Sequence, residues 1–160
     1  PILSNSFVTT PSCSFYAKEV GCLGALVITA SHNPYNWLGL KIKSFNGCSV
    51  DESFTSEIEK RLMLGNSIEK IDGVNQLVDI KKFHLDRIKS LFDIDFISNR
   101  LKKMKLRIFV DSMHGSAANC MAEIFASNDL EVISEIRKDS DPFFGGKPPE
   151  PLLNLSLIHI

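Results

Sequence analysis

The stretch that most constrains this chain is Gly24-Ala-Leu-Val-Ile-Thr-Ala-Ser-His-Asn-Pro34, a short apolar run that ends in small, polar and turn-forming residues. Leu26, Val27 and Ile28 follow one another without alternation, the pattern of a strand buried on both faces, as in a parallel sheet. Pro34 stops regular structure and pushes Asn33 towards an extended conformation. Ser31 and His32 are therefore expected just past the carboxyl end of a buried strand, where open α/β sheets bind ligands. A serine after a strand is commonly a turn residue or a helix cap. On position alone that plainer reading is the better one.

The rest of the chain reads as further α/β units. Ser14 is a candidate cap for a short helix running to Val20, with Gly21 as its left-handed stop and Phe15, Ala17 and Val20 facing a sheet. Leu40, Ile42 and Phe45 against Lys41, Lys43 and Ser44 suggest a strand with one wetter face, and Asn46-Gly47 is a turn signal. Asp51 and Ser53 offer caps for a helix to about Leu64, with Phe54, Ile58 and Leu62 inward. Residues 65 to 80 hold no clear element. From Asp79 a helical pattern runs on to Leu101, expected as a connector. Arg107 to Asp111 reads as a strand, Ala118 to Phe125 as a helix closed by Asn128, and Leu130 to Ile136 as another strand. Strand, helix, strand is the crossover unit of a parallel sheet.

Charge and composition exclude several classes of function. A formal net charge of -1 argues against a general attraction to nucleic acid or acidic membranes. The basic residues interleaved from Lys81 to Lys105 are diluted by Asp79, Asp86, Asp93 and Asp95, as on a solvated helix face. No apolar run approaches the ~18 residues of a membrane span. Cys13, Cys22, Cys48 and Cys120 lack CxxC or zinc-finger spacing and read as reduced, partly buried thiols. No basic-then-apolar leader opens the chain, so the expected location is cytoplasmic. Asp111 with His114 is too small a set for a dyad or metal site and is expected to serve loop hydrogen bonding. Gly145-Gly146-Lys147 is only a weak phosphate signal without a full P-loop.

Thr29-Ala-Ser-His-Asn-Pro34 resembles the signature of the α-D-phosphohexomutases, the phosphoglucomutase and phosphomannomutase family. Thr9-Thr-Pro11 with Phe15-Tyr-Ala-Lys-Glu-Val-Gly21 is similar to the helix before that family's catalytic strand. Gly39-Leu-Lys41 falls where the family carries Asn-Gly-x-Lys. Val110-Asp-Ser-Met-His-Gly115, Asp141-Pro-Phe-Phe-Gly145 and Pro149-Glu-Pro151 resemble parts of its second domain. The resemblance implies an α/β fold of mixed and parallel sheets with flanking helices. It also implies a division into residues 1–104, the later part of domain I with the serine loop and a connector helix, and residues 105–160, the start of domain II. Position 1 is Pro, and a strand and Gly-Thr-Ser-Gly-type segment of the family are not found, so a fragment is expected. Residues 156–160 match least well and are open to being non-native.

The implied activity is an isomerase that moves phosphate between C1 and C6 of a hexose phosphate, through phosphorylated Ser31 and a bisphosphate intermediate. The resemblance implies Mg²⁺ held through a Ser31 phosphate oxygen, and hexose 1,6-bisphosphate as activator. Among candidate site residues, Lys41 is the general base, on the argument that a partly buried lysine beside other cations can lose its proton near neutral pH. His32 is a donor to phosphate or substrate, or else stabilises its loop. Asn33 holds the loop's shape.

Two departures stand against this pattern. Leu38 occupies the usual Asn position, and the family's Asp-x-Asp-x-Asp-Arg metal loop is missing, with Asp93-Ile-Asp95 its nearest likeness. The chain by itself is therefore expected to be inactive. The alternative from another class is a non-catalytic sugar-phosphate-binding or assembly module. A serine hydrolase comes third, since Ser31 lacks the G-x-S-x-G elbow and an adjacent His32 tends to point away. The choice among glucose, mannose and glucosamine phosphates stays open, as does oligomeric state.

Overall fold

The computed structural model describes residues 1–65, 73, 75–125 and 132–154. Asn128, Leu130 and residues 156–160, read above from sequence, lie outside the described residues. The chain forms two compact units, residues 1–28 with 40–80, and residues 29–39 with 81–160. The serine loop thus clusters with the later residues. So does the helical stretch from Lys81 on, whereas the boundary expected from the family pattern falls at 104.

In the first unit, β1 (Ile2–Ser4) pairs in parallel with β4 (Gln76–Val78), a strand with no signal in the mixed sequence around it. Helix α1 spans Thr10–Glu19 and starts earlier than Ser14. Thr9 is its cap, taking the Ser12 N–H at 3.3 Å, and Pro11 sits in the first turn, where a missing N–H costs nothing. Gly21 does supply the left-handed stop, at φ 71°. Tyr16 and Ala17 are the buried hydrophobic residues of α1, while Val20 is exposed.

β2 (Gly24–Ile28) and β3 (Leu40–Ser44) form an antiparallel pair, with Val27 opposite Lys41 and Ile28 opposite Leu40. This corrects the expectation of a parallel strand covered on both faces. Helix α1 packs against β2 and Val27 is buried, but Leu26, Ile28 and Leu40 are exposed. A continuous apolar run reports hydrophobicity without reporting how many layers cover it. Helix α2 (Glu52–Met63) starts at Asp51 as expected, the carboxylate accepting the Phe54 N–H at 2.9 Å. Its expected inward face is not covered, with Phe54 and Leu62 exposed.

In the second unit the long helical pattern divides into α3 (Ile80–Leu91) and α4 (Ile94–Lys103). β5 (Ile108–Asp111), α5 (Cys120–Phe125) and β6 (Ile133–Ile136) follow, with β5 and β6 parallel, as the strand–helix–strand reading requires. Leu85, Ile124, Phe125, Val132 and Ile133 form the core, with Ile97 and Leu101 of α4 packed on it. Each such side chain, fully buried, contributes roughly 1.5–3 kcal/mol. The cysteines are free thiols; Cys48 is exposed and the other three are partly buried. Burial raises the pKa of Cys13 and of Cys120. Among the described residues no helix is long and apolar enough to cross a membrane.

Candidate active site

The loop of residues 29–39 is closed at its base by the Thr29 N–H, which donates to the Gly39 carbonyl at 2.9 Å. Gly39 has to be glycine, because a Cβ there would lie 2.8 Å from the Thr29 oxygen. Thr29 Oγ1 accepts the Ser31 N–H at 3.0 Å, and the Asn33 N–H donates to the Ala30 carbonyl at 3.0 Å. These bonds hold Ser31 at φ 58°, a left-handed conformation that serine rarely adopts. Such strain costs on the order of 1–3 kcal/mol and collects at functional sites. Ser31 is exposed at this turn.

Beyond Ser31 the loop is fastened twice to residues 141–154. His32 Nε2 lies 3.3 Å from Glu150 Oε2. The ring of Tyr35 meets Phe143 edge-on, with centroids 4.9 Å apart. Pro34 and Tyr35, with Phe143, Phe144, Gly146, Lys147 and Pro148, line a hollow of about 280 Å³.

The opposing loop is organised by Asp141, whose two carboxylate oxygens accept the N–H groups of Phe143 and Gly145 at 2.8 Å each. Those bonds lower the Asp141 pKa. Gly146 N–H donates to the Phe143 carbonyl at 2.8 Å. The amides of Gly145 and Gly146 are thus engaged within the loop, and the weak phosphate signal at this site gains no support.

Behind this loop, Asp111 accepts from the Met113 N–H and pairs with Arg137, whose guanidinium lowers the Asp111 pKa. His114 Nδ1 lies 2.7 Å from the Asp139 carbonyl oxygen. Asp111 and His114 therefore serve loop hydrogen bonding, as expected.

The other candidates fall elsewhere. Lys41 stands exposed on β3 in the first unit, without the partial burial on which its role as a base was argued. Asn33 is half-buried within the loop. Asp93 caps α4 by accepting the Phe96 N–H at 2.8 Å, so its carboxylate has a structural task. Among the described residues no three His, Cys, Asp or Glu side chains gather into a group able to hold a metal ion. The described residues do not make up a Mg²⁺ site.

The family profile for "Phosphoglucomutase/phosphomannomutase, alpha/beta/alpha domain I" matches residues 2–67, which include the whole serine loop. Residues 2–67 thus resemble domain I of the phosphoglucomutase/phosphomannomutase family. The similarity extends past that domain. A phosphoglucosamine mutase from Prochlorococcus marinus is 32% identical over 141 residues, covering 82% of this chain and 29% of the relative. A phosphoglucomutase from Staphylococcus haemolyticus is 27% identical over 150 residues, covering 89% of this chain and 27% of the relative. The chain thus spans under a third of the length of these curated relatives. A solved structure from Thermus thermophilus, assigned as a phosphomannomutase, superposes with a TM-score of 0.80 at 26% identity, over 98% of this chain and 35% of that one. The fold of Paramecium parafusin, a phosphoglucomutase in its open form, is similar at TM-score 0.73 and 24% identity, over 99% of this chain and 34% of that one. The α/β architecture expected from the sequence is the architecture of these proteins.

Sequence reading passed over several residues that shape the site. Tyr35 and Arg137 carried no local signal, and Phe143 stood within Asp141-Pro-Phe-Phe-Gly145 without a role. Glu150 was visible within Pro149-Glu-Pro151 but had no role assigned.

Proposed function

We propose that Ser31 is the phosphoacceptor of a phosphohexomutase, the step in which this chain takes part being phosphoryl transfer between the serine and a hexose phosphate. Phosphoserine at position 31 gives its phosphoryl group to a free sugar hydroxyl: the Oγ–P bond breaks, the new O–P bond forms, and the hydroxyl proton leaves to a base. The bisphosphate returns its other phosphoryl group to Ser31, and the net change is movement between C1 and C6. Most of the acceleration in such a transfer comes from positioning and charge stabilisation.

The observation that carries this reading is the exposed, strained Ser31 at the head of a braced loop, in a segment that matches the family's domain I. His32 is proposed to donate to the transferred group and Asn33 to hold the loop, with hexose 1,6-bisphosphate as the priming phosphoryl source. The mutase names of the relatives support a hexose phosphate as substrate. The chain is proposed to work in the cytoplasm and to be inactive by itself.

Grafting the chain in place of the matching segment of the Staphylococcus phosphoglucomutase tests this. The graft is expected to turn over hexose phosphate and to lose turnover with Ser31→Ala, while the 160-residue chain shows none. A folded graft that stays active without Ser31 would overturn the assignment. Binding of hexose phosphate with no phosphorylation of Ser31 would favour the binding-module alternative.

A further inference from the structure

His32 and Glu150 meet across the second unit, and Glu150 is the better held of the two. Its side chain is 25% exposed, against 58% for His32. Proline on both sides restricts the backbone at this point. The Glu150 carbonyl accepts from Asn154 Nδ2 at 2.7 Å, and its Oε1 accepts the Leu152 N–H at 3.2 Å. Asn154 Oδ1 accepts in turn from Arg137 Nη1 at 2.7 Å, and Arg137 is forked onto Asp111 at the end of β5. Hydrogen bonds therefore run from the ends of the parallel strands to the Glu150 backbone, and the Glu150 carboxylate comes within 3.3 Å of His32 Nε2.

We propose that Glu150 is a positioning residue for His32. Its carboxylate faces Nε2 and takes its N–H, so that Nδ1 is the bare nitrogen of the neutral ring and, in the protonated ring, carries the N–H that donates to the group on Ser31. In a neutral imidazole one nitrogen donates and the other accepts, so an acceptor fixed on one side decides what the other side can do. A pair this exposed adds little to stability. Its effect belongs in ring orientation and transfer rate, with the melting temperature nearly unchanged. The pairing stands on geometry alone; only its consequence for Ser31 rests on the phosphoacceptor reading.

The test is ¹⁵N NMR of the histidine side chains in the full chain at alkaline pH. His32 is assigned with a His32→Gln variant. In the wild type its ring is expected as the Nε2–H tautomer, with two well-separated nitrogen signals. Glu150→Ala should draw those signals together as the tautomers mix, and Glu150→Gln, which keeps an acceptor oxygen, should restore the separation. His114, held by the Asp139 carbonyl, should not move and reports on the fold.

In the grafted enzyme, Glu150→Ala should lower kcat roughly tenfold to a hundredfold with KM nearly unchanged, the scale of a misplaced group, and Glu150→Gln should recover most of it. His32 signals indifferent to Glu150→Ala, or a Gln variant that behaves like Ala, would overturn the proposal. A Ser31 that never takes phosphate while the His32 signature persists would instead sink the phosphoacceptor reading and leave the pairing intact.

Discussion

Arg137, just past the end of β6, forks onto Asp111 at the end of β5, with Nε 2.7 Å from Oδ1 and Nη2 on Oδ2. This pair ties together the carboxyl ends of the two parallel strands and holds Asn154 on its outer side. Bidentate guanidinium–carboxylate pairs combine strength with directional control. Here the direction leads to the segment that bears Glu150.

The pair makes stability depend on acid. Its hydrogen bonds to Arg137 lower the folded-state pKa of Asp111 below the ordinary value. A lowered folded pKa contributes stability above the unfolded value of ~3.9, and that contribution is lost as pH falls through the folded value. Urea midpoints measured from pH 6 down to about pH 3 should therefore fall more steeply for the wild type than for Asp111→Asn. Equal slopes would mean that the pair does not couple to folding.

Ser31 is strained, and glycine would relieve that strain. Ser31→Gly is expected to raise stability by about 1 kcal/mol in urea unfolding, less whatever the freer unfolded chain gives back. The same substitution removes the proposed phosphoacceptor. A variant that is both more stable and unable to take phosphate would mark the strain as serving function.

Gly39→Ala should act in the opposite sense. The added Cβ would press on the Thr29 carbonyl at 2.8 Å, a backbone atom that cannot swing aside. A loss of roughly 1–3 kcal/mol is expected, as for other overpacked sites. Chemical-shift changes concentrated in residues 29–39 would locate the damage. An unaltered unfolding midpoint would show that the loop base yields easily.

Asp93 separates a capping role from a metal role. Asp93→Ala should cost ~1 kcal/mol through loss of the α4 cap, visible as a lower thermal midpoint. Calorimetric titration with Mg²⁺ should be the same before and after the change. A magnesium-dependent difference between the two proteins would contradict the capping assignment.

Much of the local structure was legible because its causes are local. Asp51 stands at the head of α2 as a cap residue should, and Gly21 ends α1 in the left-handed conformation. β5, α5 and β6 fall where the apolar pattern changes period. The start of α1 was misread because Thr9 and Ser14 are chemically alike as caps. Pro11 was the better guide, being suited to the first turn. β4 was missed because three residues cannot display a period, and its parallel partner β1 lies at the other end of the unit's sequence.

The sequence by itself determined the α/β class, most helix ends and the place of Ser31 in a loop after a strand, since propensity, caps and turn residues act over a few neighbours. Tertiary structure alone decided that β2 pairs antiparallel with β3 and is covered on Val27 but not on Leu26 or Ile28. It also decided that Asp93 is a cap and that His32 has Glu150 for a partner. Residues so far apart along the chain meet only when other elements hold both, and no local pattern encodes that distance.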